Sequence, residues 1–525
     1  MDDEQRSQVE ESAKGFAVQL GLPYFDTRPR LEIDNLVGKL TVMGMQAYGV
    51  VPVGLDGNRL TLATSEETDR AQLESLRQRL AGYDVQYVFT SQFGWNRLFN
   101  RYTISENQGT LDSGNFSDFT DHLLNIEPKF MFEPVAQLAF QLGASDIHVE
   151  PDEHQARIRF RIDGTLHPIT TIPKDRFDLF ASDMQMRAGV KWGGDEPQGG
   201  RISLLVINED GDDIQLNMRL ETIPSLHGED VVIRLFNLGL KFLTLENLRL
   251  SDAQMSTLLR SVSHPRGMVM CVGPTGSGKT STLYSVMNHL NNDEVKIVTL
   301  EDPIEYELAG ISQVPVHTDD QKLFMDELRA VMREDPNIVM IGEIRDADTA
   351  KTALQASLTG HLVLSTFHAA SASAAVSRLM DMIGQNPLLA SSIKLIMAQR
   401  LVRRLCDVCK QPYDPPRGEI LQIKTITHTL PEAQQPKLEN AQLFKAVGCN
   451  VCHHFGYNGR INIVEQLEIT AKMEDLIAHG TAATTADALE QAAIKEGMVT
   501  LLQDGISKVL AGLTTLEEVY TQVGE

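Results

Sequence analysis

Residues 273–280 read Gly273-Pro274-Thr275-Gly276-Ser277-Gly278-Lys279-Thr280, the complete spacing G-x-x-x-x-G-K-T, and Ser281 follows directly. That spacing is suited to phosphate. The glycines let backbone N–H groups turn inward, Lys279 reaches β and γ oxygens, Thr280 offers its hydroxyl to Mg²⁺, and a helix N-terminus adds positive potential. The flanks supply the required context: the apolar run GMVMCV precedes the motif and the helix-like run STLYSVMNHL follows it. Cys271, inside the first run, reads as a buried core thiol.

Hydrolysis at such a loop needs a carboxylate that orients or deprotonates water, and an acidic group within reach of the metal. In an open α/β sheet, ligands bind outside the carboxyl ends of the strands. Three further strand ends carry suitable groups: Glu301 and Asp302 in VKIVTLEDPIEY, Glu343 and Arg345 in NIVMIGEIRD, and His368 in HLVLSTFHA. Singly, each is an ordinary solvated strand end; together beside one phosphate loop they argue for a site. Glu343 and Glu301 are expected to divide the base and metal roles, in an order the sequence leaves open. Gly342 stands where many phosphate-loop enzymes place a magnesium-linked aspartate, so the site is either damaged or differently built. In QKLFMDELRAVMREDP, the spacing predicts a helix with Leu323, Phe324, Leu328, Val331 and Met332 on its apolar face. Arg329 and Arg333, at i and i+4, share another face; such arginines ordinarily meet water, and here they could reach phosphate.

Cys406-Asp-Val-Cys409 and Cys449-Asn-Val-Cys452 form a second constellation, with residues 410–448 between them and Gly448 and Gly456 flanking the second pair. Four thiolates in two such turns suit tetrahedral Zn²⁺ with no open position, a structural site that adds about 10–16 kcal/mol to local folding. One C-x-x-C would suffice for thiol exchange, so zinc is preferred to a redox pair. His453 and His454 are competing ligands, although the four-cysteine set is already complete.

The elements that must position these groups follow from pattern. A chain of 525 residues needs roughly three or four domains of about 100 to 200 residues. Residues 14–102 read as a small α/β unit, with β-like runs YGVVPVGLDGNRLTLAT and YDVQYVFT around the helix-like EETDRAQLESLRQRL. ENQGTLDSGNFSDF lacks a period and reads as linker. Next, helix-like MFEPVAQLAFQL feeds ASDIHVEP and RIRFRIDGTLHPI, where Ile158, Phe160 and Ile162 alternate with Arg157, Arg159 and Arg161 before the Asp163-Gly164 turn. After a second turn at Asp210-Gly211, Ile214, Leu216, Met218 and Leu220 face one way, and Asn217, Arg219 and Glu221 the other. From about residue 241, apolar strands alternate with amphipathic helices, the pattern of a doubly wound sheet. The stretch 411–440 reads as an excursion between the cysteine pairs, and the tail from 471 as helices. The expected divisions are 1–105, a linker at 106–127, 128–240, and 241–525 with a four-cysteine element at 403–460.

The balance of 71 acidic against 47 basic residues gives a formal charge of -24, which disfavours a nucleic-acid backbone as partner. The chain opens MDDEQRSQVEES, with no basic-then-apolar leader, and no apolar run approaches the ~18 residues of a membrane span. A cytoplasmic protein with at most peripheral membrane contact is therefore expected.

In combination, ASDIHVEP, RFRIDG, GPTGSGKT, TLEDPIEY, DPNIVMIGEIRD and TGHLVLSTFH resemble the ordered motifs of the type II secretion and type IV pilus assembly ATPases. The resemblance covers nearly the whole chain and is weakest before residue 100. It implies an α/β fold in which a RecA-like P-loop ATPase domain follows a PAS-like α+β domain and a small amino-terminal α/β docking domain, with a zinc-binding four-cysteine element. It implies ATP and Mg²⁺, a homo-hexamer, and an inner-membrane platform protein through which pilin-like subunits are assembled. Under it, Glu343 is the Walker B glutamate, with Gly342 normal, Glu301 is the acidic-box glutamate, and His361 and His368 match the histidine box. Arg201, Arg219, Arg329 and Arg333 match positions that contact phosphates at domain or subunit interfaces. The sequence departs from the family at PQGGR, RLETIP and FHAASA, where PQDGR, RVSTLP and LHTNDA are common. The four-cysteine element and the extra domain favour assembly or secretion over retraction. QLGLPYFDT and VVPVGLDGNRLTLATSEETD resemble the docking domain, in which some relatives bind cyclic di-GMP through Arg-Leu-Gly motifs. Only Gln19-Leu20-Gly21 remains of those here, so no such binding is expected. Alternatives are a DNA-uptake or retraction motor and a non-hydrolysing regulatory subunit.

Overall fold

The computed structural model describes residues 3–27, 36, 38–99, 101–102, 116–191, 193, 196–208, 213–236, 243–316, 321–384, 386–430, 434–439, 441–478 and 485–524. The chain divides into two compact units, Met1–Leu238 and Gly239–Glu525. The Asp210-Gly211 turn, the boundary at 240/241 and the first part of the expected linker, 106–115, lie outside the described residues.

The first unit begins with α1 (Asp3–Leu20) and α2 (Val42–Tyr48), neither read from the sequence pattern. β1 (Val50–Asp56) and β2 (Arg59–Thr64) form a hairpin; α3 (Arg70–Arg79) then crosses to β3 (Asp84–Phe89), which runs parallel to β2. A parallel pair needs such a crossover, and Leu76 of α3 packs on Leu60, Leu62 and Val85 of the sheet. The carboxyl half of the expected linker is a helix rather than a spacer: in α4 (Ser117–Asn125), Phe119 and Leu123, one turn apart, are both fully buried.

α5 (Phe132–Gln141) follows, and then β4 (Ala144–Pro151), β5 (Gln155–Ile162), β6 (Thr165–Pro173), α6 (Lys174–Ala188), β7 (Gln198–Ile207), β8 (Asp213–Ser225) and β9 (Gly228–Phe236). The six strands form one antiparallel sheet in the order β6-β5-β4-β9-β8-β7. Asp163 and Gly164, with φ of 49° and 87°, make the tight turn between β5 and β6. Alternation then decides the faces: Ile158, Phe160, Leu216, Met218 and Leu220 are buried, while Arg157, Arg219 and Glu221 are exposed.

The second unit is a seven-stranded sheet with helices on both faces. Its elements are α7 (Asp252–Val262), β10 (Gly267–Val272), α8 (Lys279–Leu290), β11 (Ile297–Glu301), β12 (Ser312–Pro315), α9 (Gln321–Val331), β13 (Ile338–Ile341), α10 (Ala347–Leu358), β14 (Leu362–Phe367), α11 (Ala372–Ile383), α12 (Pro387–Ser392), β15 (Ile393–Leu405), β16 (Gln411–Tyr413), α13 (Arg417–Thr427), β17 (Leu443–Lys445), β18 (Tyr457–Glu468), α14 (Ala471–Ala478), α15 (Ala486–Lys495), α16 (Leu501–Leu510) and α17 (Leu516–Val523). The strand order is β12-β11-β13-β14-β10-β15-β18, parallel except for β18, which runs antiparallel to β15. β10, β11, β13 and β14 are buried at every residue because helices cover both faces: α7 and α8 pack on one, α9, α10 and α11 on the other.

In α9, Phe324, Leu328 and Val331 are buried as the periodicity requires, but Leu323 is exposed. Arg333 lies beyond the helix end, so it does not share a helical face with Arg329.

β18 is anchored from behind by α16. Asp504 accepts from the Val464 backbone N–H at 2.8 Å, from Gln254 at 3.2 Å and from Lys508 Nζ at 2.7 Å, and both members of the ion pair are buried. Removing one partner of such a pair leaves the other charge uncompensated. Asp504→Ala is expected to cost about 3–5 kcal/mol, measured as a lower urea midpoint for the second unit.

Candidate active site and metal centre

β10 delivers the phosphate loop. The connection from β10 through α8 to β11 passes over β14 and β13, so the carboxyl ends of four neighbouring strands open onto one crevice. The crevice has a volume of about 370 Å³, within the range of small-molecule sites, and its lining includes residues 275–281, Glu301, Glu343 and His368. Gly278, with φ of 88°, sits at the N-cap of α8 and turns the chain into the helix.

Lys279 is largely buried, and its Nζ donates to the carbonyls of Gly273 at 3.0 Å and Pro274 at 2.9 Å. Burial lowers its pKa below that of an ordinary lysine, and the negative charge of Glu343 works against this. An arriving phosphate would offer that ammonium a stronger, charged acceptor than its present carbonyls. Ser277 Oγ is also buried, with no hydrogen-bond partner among the described residues, so the loop holds a polar group that a ligand can satisfy. Thr280 and Ser281 line the same crevice.

The two glutamates differ in environment. Glu343 is half-buried; Arg345 Nε donates to its Oε1 at 2.6 Å, and His368 Nε2 lies 3.4 Å from its Oε2. Glu301 is almost fully buried, and its two oxygens accept from the hydroxyls of Tyr284 and Thr299 and from the amide of Gln313.

Gly342 has a steric reason to be glycine. Its N–H donates to Leu300 O at 2.8 Å, its carbonyl accepts from Thr366 Oγ1 at 2.6 Å, and an added Cβ would lie 3.1 Å from Leu300 O. The end of β13 thus lies close against β11, and an aspartate there would require the β11 backbone to give by a few tenths of an ångström.

His361 stands at the start of β14, with Nδ1 3.1 Å from Ala356 O, at the opposite end of the strand from His368 and away from the phosphate loop. Arg329 is exposed and pairs with Asp326 at 3.3 Å; neither it nor Arg333 is among the residues lining this chain's own crevice. Arg201 and Arg219 belong to the first unit, where they are exposed and directly opposed across β7 and β8, with Arg219 Nε 3.1 Å from Glu221. The crevice also contains groups not singled out from the sequence: Glu305, Thr366, Leu401 and Arg460. Glu305 sits within TLEDPIEY and could have been noticed. Arg460 could not, because only the antiparallel pairing of β18 with β15 brings it near β10.

The four cysteine sulfurs converge, all within 4.8 Å of one another, with Cys406–Cys449 and Cys409–Cys452 at 3.8 Å and Cys449–Cys452 at 3.9 Å. Zn–S bonds of about 2.3 Å in a tetrahedron give sulfur–sulfur edges of about 3.8 Å, so the set fits Zn²⁺. Backbone N–H groups of Gly448, Cys449 and Gly456 point at Cys409 and Cys452 sulfurs at 3.2–3.3 Å, a donor set suited to thiolates. The excursion between the pairs is folded: β16 pairs with β17 in antiparallel register, Gln411 opposite Lys445, which returns the chain to its first knuckle. Ile423 of α13 packs with Leu443, Ile506 and Val509. His453 and His454, both with positive φ, follow the second knuckle outside the converging group.

The family profile described as type II/IV secretion system protein matches residues 125–521, which include both constellations. The chain belongs to that family. It is an ATP-hydrolysing enzyme. A second profile, the MshEN domain, matches residues 20–109. The chain is 35% identical over 518 residues to the type IV pilus assembly ATPase PilB of Myxococcus xanthus, covering 95% of this chain and 88% of that protein. It is 40% identical over 385 residues to the type II secretion system ATPase E of Vibrio cholerae, covering 73% of this chain and 72% of the relative. Among solved structures, the ATPase DotB of Legionella pneumophila matches with a TM-score of 0.55 at 19% identity, over 75% of this chain and 95% of that one, a likeness of fold. No helix among the described residues is long and apolar enough to cross a membrane.

Gly342→Asp tests the reading of an intact site. The substitution is expected to lower steady-state ATP turnover by about tenfold or more, about 1.4 kcal/mol of lost positioning, rather than to supply a better metal ligand.

Proposed function

We propose that this ATPase works as a ring of six copies that drives assembly of pilin-like subunits through an inner-membrane platform protein, in type IV pilus extension or type II secretion. The observation that carries the proposal is one crevice joining the phosphate loop to Glu343 and His368, while Arg329 and Arg333 stand exposed outside it. Arginines of this kind can serve a neighbouring copy's phosphates. Arg201 and Arg219, exposed and directly opposed across β7 and β8, place two guanidinium groups together, one of them beside Glu221, and such a pair can take up a phosphate bidentately.

Glu343 is the base in this mechanism. Arg345 holds one of its oxygens, leaving the other beside His368 to orient and deprotonate the attacking water. Lys279 and the loop N–H groups bind the β- and γ-phosphates and disperse the charge that develops there. Thr280 and Glu301 would hold Mg²⁺, which neutralises phosphate charge when bound. Cys406, Cys409, Cys449 and Cys452 would hold structural Zn²⁺. The antiparallel six-stranded domain is PAS-like in this reading, the first domain docks on the membrane machinery, and the protein is cytoplasmic, touching the membrane only peripherally, with no nucleic-acid partner. The 35% identity to a pilus assembly ATPase along 95% of the chain supports that assignment.

In steady-state assays, Lys279→Ala and Glu343→Gln are each expected to lower turnover by about 10²-fold or more. Glu343→Gln should retain nucleotide, populate a six-copy species in native mass spectrometry, and be captured by a platform protein but not by DNA. A monomer captured only by DNA would overturn the motor reading.

Elemental analysis should find about one zinc per chain, falling below half on Cys449→Ser, and strong chelation should lower the melting temperature. Stoichiometric cysteine without zinc would remove the metal centre.

A further inference from the structure

Glu301 poses a problem that the division of labour between the two glutamates does not solve. A carboxylate this buried, only 3% exposed, costs several kcal/mol to desolvate unless it is held by hydrogen bonds or paired with a cation. Its partners are three neutral donors from three different places in the fold. Thr299 Oγ1 donates to Oε1 at 2.6 Å from two residues earlier on the same strand, and Gln313 Nε2 donates to Oε1 at 3.1 Å from β12. The Tyr284 hydroxyl donates to Oε2 from α8. Gln313 is itself fixed, accepting from Leu308 N at 2.8 Å and donating to Tyr306 O at 2.9 Å. Tyr284 is fully buried, with its ring edge-to-face against Tyr306 at 5.9 Å.

A carboxylate has about four acceptor positions, so three donors leave about one for the crevice it lines. Such a group is fixed in place and suited to a steady contact; a general base must accept a proton and release it each turn. The site of the tyrosine matters as much as its bond. Tyr284 follows Thr280 by one helical turn on α8, so its hydroxyl ties the helix that presents Lys279 and Thr280 to the end of β11. Burial and the adjacent Glu301 charge both raise the Tyr284 pKa, which keeps its hydroxyl protonated as a donor.

We infer that Tyr284 is a positioning residue that locks the Glu301 carboxylate to the phosphate-loop helix, holding Glu301 as the metal-side anion and leaving proton acceptance to Glu343. The inference rests on the role of Glu343 proposed above and adds to it a residue inside the hydrophobic core, one turn beyond the phosphate loop. Tyr284→Phe keeps the ring and its packing and removes only the donor. One oxygen of Glu301 then loses its donor, and the carboxylate is no longer tied to the helix that carries Thr280.

The test reads the metal dependence of nucleotide binding in the full-length chain. Affinity for a fluorescent N-methylanthraniloyl-ADP is measured with Mg²⁺ and with EDTA, and the ratio is taken for each variant, so that each protein is its own reference. Wild type should bind more tightly with Mg²⁺; Tyr284→Phe should lose at least about fivefold of that ratio, and Glu343→Gln should keep it. In turnover assays, Tyr284→Phe should need about five to ten times more Mg²⁺ for half-maximal rate. If Tyr284→Phe does not fold, Thr299→Val removes a donor from the other oxygen and should produce the same loss. A wild-type Mg²⁺ ratio in a folded Tyr284→Phe or Thr299→Val protein would overturn the positioning role while leaving the motor intact. Absence of nucleotide binding by wild type would instead overturn the proposed function, and loss of the Mg²⁺ ratio in Glu343→Gln would reverse the assignment of the two glutamates.

Discussion

The rest of this structure depends on one constraint: strands buried on both faces must satisfy their polar groups through their neighbours, so chemistry can emerge only where they end. β10 lies between β14 and β15, with helices above and below, and every residue of it is buried. Backbone pairing and packing consume the strand itself, and the first residues free to serve a ligand are those of the loop that follows. The same holds for β11, β13 and β14, whose ends carry Glu301, Glu343 and His368. Parallel pairing puts all these ends on one edge, and the crossover from β10 to β11 opens the crevice between them.

Within the crevice, burial sorts chemically identical side chains into different roles. Glu343 retains a face toward Lys279 and His368, with a single arginine on one oxygen. Glu301 is enclosed, with donors on both oxygens. Close packing bears on the absent aspartate as well: a Cβ at Gly342 would crowd Leu300 O at 3.1 Å, so a side chain there needs a small shift of the neighbouring strand. The four-cysteine element obeys a related logic on a smaller scale. Its two knuckles are far apart in sequence, and the excursion between them is ordered by pairing β16 with β17 and packing Ile423 and Leu443 against α16 and α17.

The legibility of the sequence follows the range of the forces involved. Strand and helix runs around the phosphate loop could be read because apolar periodicity and glycine spacing are local, and the hairpin turn at Asp163-Gly164 could be read because a two-residue turn has few compatible sequences. α1 and α2 escaped because the side chains that bury them, such as Ala13, Ala17 and Met45, are small or isolated, and their contacts are with β3 or a distant core. α4 was masked by polar neighbours, since only Phe119 and Leu123 mark its inner face. Leu323 shows the converse error: an apolar residue at a plausible helical position that tertiary packing leaves in water.

By itself the sequence determined that a phosphate loop, several acidic strand ends and two cysteine knuckles are present, because each is a short-range arrangement whose chemistry depends on residue type and spacing. Only the tertiary structure decided which of them meet. It set His361 apart from His368 by the length of one strand, left Arg329 and Arg333 outside their own crevice, and brought Arg460 in from a strand laid antiparallel at the far side of β15. It also decided that Tyr284, to all appearance a core aromatic, bonds to Glu301. The physical reason is that pattern reports which face of an element is buried, whereas a site is made by the ends of elements, whose neighbours are chosen by strand order and packing.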